Sequence, residues 1–426
     1  MKPELLAGAI FLLIYALIVT EKIHRTLAAL LGASLMILAR ILDQHEAFAA
    51  VDFNVIFLLA GMMIIANITA KTGIFQWMAV EAVRRAEGRP YRLLVLTSII
   101  TAVASAFLDN VTTVVLLTPI TFFVAQRLGT SPVPFLISQV IASNIGGTGT
   151  LIGDPPNIII GSSLGKDFND FLLNALPPAA AAFVAYLVFA RWLFRRELAA
   201  ATAALEPADI AKLVEEERRI DDPHLMRLSL IVMAATIGGF LASRALGIEG
   251  ATIALTGAVV LMIVAREDVH DILRTVEWPT LFFFIGLFIV VGGVVKTGII
   301  SDLAHAVIEL TGGRTDVAAL VVLWMSGVIS AIVDNIPYTI TMVPLVQELG
   351  RTMNVEPLIW ALSLGANLGG NATVVGASAN VVVASMSESR GNPISFAHYL
   401  RYGVPATLVT LIVATIWIWL RYVLFS

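Results

Sequence analysis

The sequence predicts an all-helical polytopic membrane protein made of two inverted-topology repeats, and three observations support that prediction. First, 58% of the residues are hydrophobic and only 14% are charged, whereas a soluble domain carries about 25% charged residues. Second, a set of short motifs occurs twice along the chain at an almost constant spacing. Third, each half contains an odd number of apolar runs long enough to span a bilayer, so the second half must insert upside down relative to the first.

The number of residues between a motif and its second copy is constant for motifs in the first part of each half. For motifs in the second part of each half this offset is also constant but slightly shorter. Asp109-Asn110 returns as Asp334-Asn335 at the first offset. The glycine-rich stretch from Asn144 to Asn157 returns from Asn367 to Asn380 at the second. Matched apolar segments that glycine or proline interrupts are the best sequence indication of a binding site in a membrane carrier.

Apolar runs of about 20 residues, the length that crosses a core of ~30 Å, mark five predicted spans in each half. In the first half they lie near 3–20, 25–42, 54–70, 134–163 and 176–195. In the second half they lie near 226–244, 249–265, 278–295, 357–385 and 400–424. The predicted organisation is a first repeat over 1–195, a polar cytoplasmic linker over 196–225 and a second repeat over 226–426.

The distribution of Lys and Arg predicts how the chain is inserted. With the N-terminus outside, eight of the 27 Lys and Arg residues fall on the outer face and 19 on the inner face. Cytoplasmic loops carry the excess of cations in membrane proteins. We therefore expect both termini outside the cytoplasmic (inner) membrane and the linker inside the cell.

One pair of apolar segments is too short for ordinary spans. The segment near 91–127 has two arms, 93–108 and 111–124, of roughly 24 and 21 Å, with Asp109-Asn110 between them. We interpret it as a re-entrant hairpin with its tip at mid-membrane, and the segment near 316–350 as its partner from the opposite face. A pair of short spans joined by a turn is the alternative.

A second pair of segments, near 134–163 and 357–385, combines an apolar composition with glycines and prolines that must break a helix. Irregular backbone at membrane depth is tolerated only where it is buried or lines a wet cavity. Such breaks expose carbonyl groups and helix N-termini that can bind ions and polar cargo. We therefore predict two broken helices that meet near the midplane.

Asp109 and Asp334 are the strongest candidates for chemistry, because an Asp in the middle of a membrane helix costs about 2.5–3.5 kcal/mol on insertion scales. Burial disfavours a charged carboxylate, so each could take up and release a proton and couple transport to the proton gradient. A structural role as a helix N-cap is compatible with that function. Asp154 precedes two prolines and is either a helix cap or an ion site, and its repeat counterpart is Ala377.

The remaining candidate binding residues are uncharged polar side chains at the same predicted depth, which would lose free energy there unless they were paired. They are Asn110, Thr112, Thr113, Asn144, Thr148, Thr150, Asn157, Asn335, Thr339, Asn367, Asn371, Thr373 and Asn380.

Several kinds of chemistry are not expected. The chain has no cysteine, which excludes disulfides and thiolate metal sites, and its six histidines show no metal-ligand spacing. The sequence also lacks a nucleotide-phosphate loop. We therefore expect no enzyme activity, no cofactor, no bound metal and no nucleic-acid partner, and a transporter that an ion gradient drives.

At the residues just described, the chain resembles the ion transporter superfamily, in the branch that contains ArsB, NhaD and the P protein, and is most similar to bacterial arsenite efflux permeases. The segments that carry the resemblance are Ser105–Thr113 and Asn144–Asn157. The resemblance implies a homodimer and an elevator-type carrier, in which both hairpins and both broken helices move against a scaffold built from 3–70 and 226–295. Distant sodium-coupled dicarboxylate carriers have Ser-Asn-Thr at the hairpin tips, so Asp-Asn here favours protons over sodium.

Three cargoes remain open. Proton-coupled efflux of arsenite or antimonite is favoured, because these neutral trihydroxides suit a cage of amides and hydroxyls, and the resemblance then implies an arsenite-stimulated ATPase as a possible partner. Na⁺/H⁺ antiport is an alternative in which the acids bind sodium directly. A carrier of dicarboxylates or other anions is a further alternative, which the lack of Arg or Lys in the predicted cage disfavours.

Overall fold

The computed structural model describes residues 2–20, 22–87, 89–127, 129–199, 220 and 222–424. Within those residues the chain forms helices and contains no β-strand, which confirms the predicted all-helical class. Most of the predicted linker, residues 200–219 and 221, lies outside the described residues.

Twelve helices are described before the linker. They are α1 (Pro3–Thr20), α2 (Arg25–Leu38), α3 (Gln44–Ala49), α4 (Phe53–Ala70), α5 (Ile74–Ala86), α6 (Pro90–Ser105), α7 (Asn110–Arg127), α8 (Val133–Thr148), α9 (Pro155–Leu164), α10 (Phe168–Asn174), α11 (Leu176–Leu193) and α12 (Arg195–Ala199).

After the linker the described helices are α13 (Pro223–Leu246), α14 (Gly250–Ala265), α15 (Val269–Thr275), α16 (Trp278–Lys296), α17 (Ile299–Thr311), α18 (Thr315–Ser330), α19 (Asn335–Leu349), α20 (Val355–Gly369), α21 (Ser378–Ser389) and α22 (Phe396–Trp419). A 3₁₀ turn at Val374–Gly376 precedes α21, and a π-helical turn at Leu420–Leu424 follows α22.

The offset between the repeated motifs also relates the helix boundaries of the two halves. The offset that carries Asp109 onto Asp334 carries both ends of α6 onto the ends of α18. It likewise carries the first residues of α2, α5 and α7 onto the first residues of α14, α17 and α19. The repeat seen in the sequence is therefore a repeat of helices as well as of motifs.

Six helices in the described part of the chain are long and apolar enough to cross a membrane: α1, α4, α11, α13, α16 and α22 with its π-helical turn. Of the other four predicted spans, α2 ends four residues early, α14 matches its predicted bounds to within one residue, and the last two contain the predicted breaks. Helices α2 and α14 have only 14 and 16 residues, because Arg40 and Arg266 adopt left-handed backbone angles just beyond their C-termini. The remaining two predicted spans are interrupted, one between α8 and α9 and the other between α20 and α21.

The two halves pack against each other reciprocally. Helix α2 of the first half lies along α16 of the second, and α14 lies along α4. A Cβ atom on Gly61 would lie 2.7 Å from the carbonyl carbon of Ala254, and one on Gly286 would lie 2.7 Å from that of Ala29. The two contacts are repeat equivalents, so the same close crossing of backbones is formed twice.

We expect Gly61→Ala to destabilise the protein by about 1–3 kcal/mol, the usual cost of overpacking, because the added methyl group meets backbone that cannot rotate away. The midpoint of thermal unfolding in detergent would measure the effect. Gly8→Ala is the matched control, since a Cβ there meets only Ile299 Cδ1 at an ordinary 3.6 Å. Equal midpoints for the two variants would contradict this description of the crossing.

Candidate functional site

The break between α8 and α9 is held open by two polar side chains of the predicted set. Asn157 donates through Nδ2 to the carbonyl oxygens of Gly147, Thr148 and Thr150 at 3.2, 3.0 and 2.8 Å. Thr150 donates through its hydroxyl to the carbonyl oxygen of Ala106 beside the first hairpin tip. These carbonyl groups would otherwise be unpaired in the interior, which is costly. Asn157 and Thr150 therefore shape the break.

The second break repeats this arrangement. Asn380 Nδ2 donates to the carbonyl oxygens of Gly370 and Thr373, both at 2.8 Å. Thr373 donates through its hydroxyl to the carbonyl oxygen of Ala331 at 2.5 Å. Each hairpin is thus tied to the broken helix of its own half through the same pair of residue types.

Asparagine side chains join the two breaks across the centre. Asn144 Nδ2 donates to Asn380 Oδ1 at 3.0 Å, and its repeat counterpart Asn367 donates to Asn157 Oδ1 at 2.8 Å. Asn144 also donates to Asn371 Oδ1 at 3.0 Å. All of these side chains are buried. The predicted meeting of the two broken segments is therefore realised by reciprocal amide hydrogen bonds.

Asp154 lies between the two hairpin tips, and the helix-cap interpretation of its side chain is wrong. It occupies the N-cap position of α9, but its carboxyl group accepts no hydrogen bond from the helix backbone. Instead, Oδ2 accepts from Asn110 Nδ2 at 3.1 Å and Oδ1 accepts from Asn335 Nδ2 at 3.3 Å. The side chain is fully buried, and no Lys, Arg or His among the described residues forms an ion pair with it. Because the repeat counterpart is Ala377, one acid serves both tips.

Asp109 and Asp334, the predicted tip acids, both act as N-caps. Asp109 Oδ1 accepts from the backbone N–H of Thr112 at 2.8 Å, and Asp334 Oδ1 accepts from that of Ile336 at 3.0 Å. Each side chain uses one oxygen for the cap and keeps the other for further contacts. The structural and chemical roles are therefore compatible.

Arg25, at the start of α2, contacts the second tip, and sequence reasoning missed it. Its Nη1 lies 2.6 Å from Ser378 Oγ and 3.5 Å from Asp334 Oδ2, and Ser378 donates to the same Asp334 oxygen at 2.7 Å. The guanidinium group also lies over the Phe283 ring, 5.4 Å from the centroid. Charge counting placed Arg25 among the cytoplasmic cations, because it follows directly on a predicted loop. Its position at the beginning of an apolar run was the available signal.

These elements enclose a narrow cleft that α2, α4, the start of α16 and the two hairpin tips line. Its polar lining includes Arg25, Asp109, Asn110, Asp154, Glu277 and Asn335. Glu277, also missed, accepts from Thr280 Oγ1 at 3.0 Å. A neighbouring cavity shares Arg25 and adds Asp334 and His24. One cation and several carboxyl groups thus line a connected polar region.

Other predicted residues lie near the cleft without lining it. Thr148 and Thr339 donate to carbonyl oxygens of their own helices at 2.7 and 2.8 Å. Thr113 Oγ1, Asn367 Oδ1 and Asn371 Nδ2 are buried without a hydrogen-bond partner. Thr112 donates through its backbone N–H to Asp109 Oδ1. No group of three or more His, Asp or Glu side chains in the described ranges could hold a metal ion.

The helical architecture and the polar cleft between its two halves are those of a membrane transporter. The structure is similar to that of the YdaH transporter of Alcanivorax borkumensis, with a TM-score of 0.62 over 99% of both chains at 16% sequence identity. The family model described as "Citrate transporter" (CitMHS) matches residues 15–365. The chain therefore belongs to the CitMHS citrate transporter family.

Relatives with similar sequences include proteins named as transporters and the P protein. An uncharacterized transporter of Mycobacterium tuberculosis is 42% identical over 98% of this chain and 99% of its own length. The P protein of Homo sapiens is 34% identical over 95% of this chain and 58% of its own length. These matches confirm the predicted relation to the P protein within the ion transporter superfamily. The narrower placement with arsenite permeases stays a prediction.

Proposed function

We propose that this chain is a proton-coupled secondary carrier of a small carboxylate in the cytoplasmic membrane. The observation that carries the proposal is the position of Asp154, a fully buried acid without a cationic partner among the described residues, held by both hairpin tips. The cleft next to it contains one arginine, Arg25. Protons are the driving ion, and the carboxylate is of the class named for the family.

Asp154 can couple transport to protons because an unpaired charge in the interior is costly in free energy. An ionised carboxylate without a partner in the interior costs several kcal/mol, so Asp154 is most stable when it carries a proton or has a bound cation beside it. The amides of Asn110 and Asn335 stabilise its oxygens in either protonation state. Loading and unloading of this acid on opposite sides of the membrane would link cargo movement to the proton gradient.

Arg25 favours a negatively charged cargo. The sequence argument against an anion rested on the absence of Arg and Lys from the predicted cage, and Arg25 removes that objection. Guanidinium groups pair well with carboxylates. The acids of the cleft repel an anion unless some of them are protonated, so an anion and protons would bind together.

Arsenite or antimonite efflux is the second candidate. The observation in its favour is the cluster of neutral amides around Asp154, which suits a neutral trihydroxide. Under that function a soluble arsenite-stimulated ATPase would be a natural partner. Na⁺/H⁺ antiport is a third possibility, in which Asp154 and the tip acids bind sodium in place of protons.

The proposed mechanism is alternating access by an elevator-type movement in a homodimer. The two halves would be inverted relative to each other, with both termini outside, and the hairpins and broken helices would move against the scaffold of 3–70 and 226–295. Support comes from the reciprocal packing of the halves, since α19 lies along α9 and α7 lies along α21. Both contacts join the halves within the part proposed to move.

The direct test uses purified protein in liposomes that contain a pH-sensitive dye. Citrate, arsenite, antimonite and sodium are added separately to an imposed proton gradient. Proton movement on adding citrate supports the first proposal, and a response to arsenite or antimonite alone supports the second. Proton movement with sodium alone indicates antiport. No response to any of them from folded protein would contradict proton-coupled carriage of these cargoes.

We expect Asp109→Asn and Asp334→Asn each to abolish concentrative uptake, because the amide keeps the helix cap but cannot bind a proton. The measurement is cargo uptake against its gradient, compared with exchange of labelled for unlabelled cargo, which needs no proton. Normal coupled uptake in both variants would refute the assignment of these two acids.

A further inference from the structure

Arg25 joins the scaffold to the proposed moving part. It belongs to α2, whereas its partners Asp334 and Ser378 belong to the second hairpin tip and to the start of α21. The side chain of Arg25 is 32% exposed and that of Asp334 is 15% exposed. The ion pair is therefore partly shielded from solvent, yet open enough for a ligand to reach it.

This contact exists on only one side of the pseudo-symmetric cleft. The repeat counterpart of Asp334 is Asp109, but the counterpart of Arg25 is Gly250. Asp109 accordingly forms no ion pair with a described residue. The two tip acids thus have the same helix-cap geometry but different charge environments, so protonating each of them has different consequences.

We propose that Arg25 exchanges partners, pairing with Asp334 when that carboxyl group is ionised and with a carboxylate of the cargo when Asp334 is protonated. The inference rests on the proposed carriage of an anion. In the step, a proton adds to the Asp334 oxygen that faces Arg25, the ion pair at 3.5 Å is lost, and one negative charge of the cargo replaces it. No covalent bond other than the new O–H forms, and the charge on Arg25 is unchanged.

The surroundings of Arg25 support an exchange of this kind. The Phe283 ring contacts the guanidinium group independently of Asp334, and Ser378 Oγ accepts a hydrogen bond from it, so the guanidinium group stays in place after the carboxylate is neutralised. The other titratable groups that face this region are His24, Glu277, Asp109 and Asp154. His24 accepts a hydrogen bond from the backbone N–H of Thr26 at 3.3 Å and caps α2. None of the acids is an ion-pair partner of Arg25, so Asp334 is the group that competes with cargo.

Two consequences follow. Cargo binding takes up one proton at this step, because the anion cannot reach an arginine that Asp334 still holds. The same event removes the ion pair between scaffold and moving part, while the hydrogen bond from Arg25 to Ser378 Oγ remains, so this charged contact is lost only when the carrier is loaded with both proton and anion. Carriage of a proton without cargo would leave a guanidinium group unpaired in a partly buried cleft, which is unfavourable.

The test measures binding of citrate to the purified full-length protein by calorimetry over a series of pH values, after correction for the ionisation of citrate itself. Wild-type affinity is expected to fall about tenfold per pH unit at the alkaline end, as one bound proton requires. Asp334→Asn should bind citrate with a reduced slope, because Arg25 is always free. Arg25→Gln should lose about tenfold or more in affinity at the acid end, where wild-type Arg25 is free to bind the cargo, and Arg25→Lys should recover part of it.

Arg314→Gln is the matched control, since Arg314 forms an exposed pair with Asp316 at 2.6 Å and does not line the cleft. Unfolding midpoints separate loss of binding from loss of fold. If the wild type binds citrate and Asp334→Asn has the same dependence of affinity on pH, the exchange is overturned while the proposed function stands. An unchanged affinity for citrate in Arg25→Gln leads to the same conclusion. A wild-type protein that binds no citrate but moves protons with arsenite or sodium overturns both.

Discussion

Replacing Asp154 by Asn is expected to abolish proton-coupled uptake while the protein remains folded. The amide has nearly the same shape and can still accept hydrogen bonds from Asn110 or Asn335, but it cannot bind a proton. Coupling free energies between sites are typically 1–3 kcal/mol, or about 5–150-fold, so concentrative uptake should fall by at least that range. Stability should be equal or higher, because a potential charge is removed from a fully buried position.

The measurement is uptake against a cargo gradient in liposomes, with the unfolding midpoint determined in parallel. Asp302→Asn is a suitable control, because Asp302 is an exposed acid on α17 outside the cleft. Full coupled uptake by the Asp154 variant would mean that this acid does not carry the coupling proton. If the variant misfolds, Asp154 has a structural role. The absence of hydrogen bonds from the helix backbone to its carboxyl group does not suggest such a role.

The second large effect is expected at Gly146, where α8 crosses the first hairpin. A Cβ there would lie 2.2 Å from the carbonyl oxygen of Ala102 and 2.6 Å from its Cα. Gly146→Ala must therefore separate α8 from α6, at a cost near or above the upper end of the ~1–3 kcal/mol range for overpacking. Because α7 begins at the tip that α6 supports, Asn110 should also move away from Asp154, and transport should be lost.

The unfolding midpoint and transport are measured together for this variant. Gly369→Ala tests the same crossing in the second half, where the Cβ would lie 2.5 Å from the carbonyl oxygen of Gly327. Gly238→Ala in α13 is the control, because a Cβ there has no heavy atom within 4 Å. Normal stability and transport in both crossing variants would show that the hairpins do not need this close approach.

Much of the fold could be predicted from local features of the chain. Helix α7 begins at Asn110 and α9 at Pro155, where an N-cap acid in the first case and two prolines in the second indicate a helix start. The two breaks follow from glycines and prolines inside apolar runs. The length of α2 was overestimated, because a left-handed residue such as Arg40 ends a helix without interrupting the hydrophobic pattern.

The candidate site was predicted in part. Asp109, Asn110, Asp334 and Asn335 lie around one connected polar region, as the motif repeat indicated. Asp154 was predicted to be either a helix cap or an ion site, since the sequence Asp-Pro-Pro also describes a helix start. Arg25 was counted among the cytoplasmic cations at the start of a predicted span and was not placed in the predicted cage, whose lack of Arg and Lys was held against an anionic cargo.

The sequence alone therefore determined the helical class, the two-fold repeat, the hairpin tips and the helix breaks, because composition, periodicity and backbone conformational preference act over a few neighbouring residues. Only the tertiary structure decided which side chains share the cleft. The Arg25 contact with Ser378 spans 353 residues of chain, and that of Asn335 with Asp154 spans 181. Such contacts depend on how the two halves pack, which brings Asp154 and Arg25, whose repeat counterparts are Ala377 and Gly250, into one cleft.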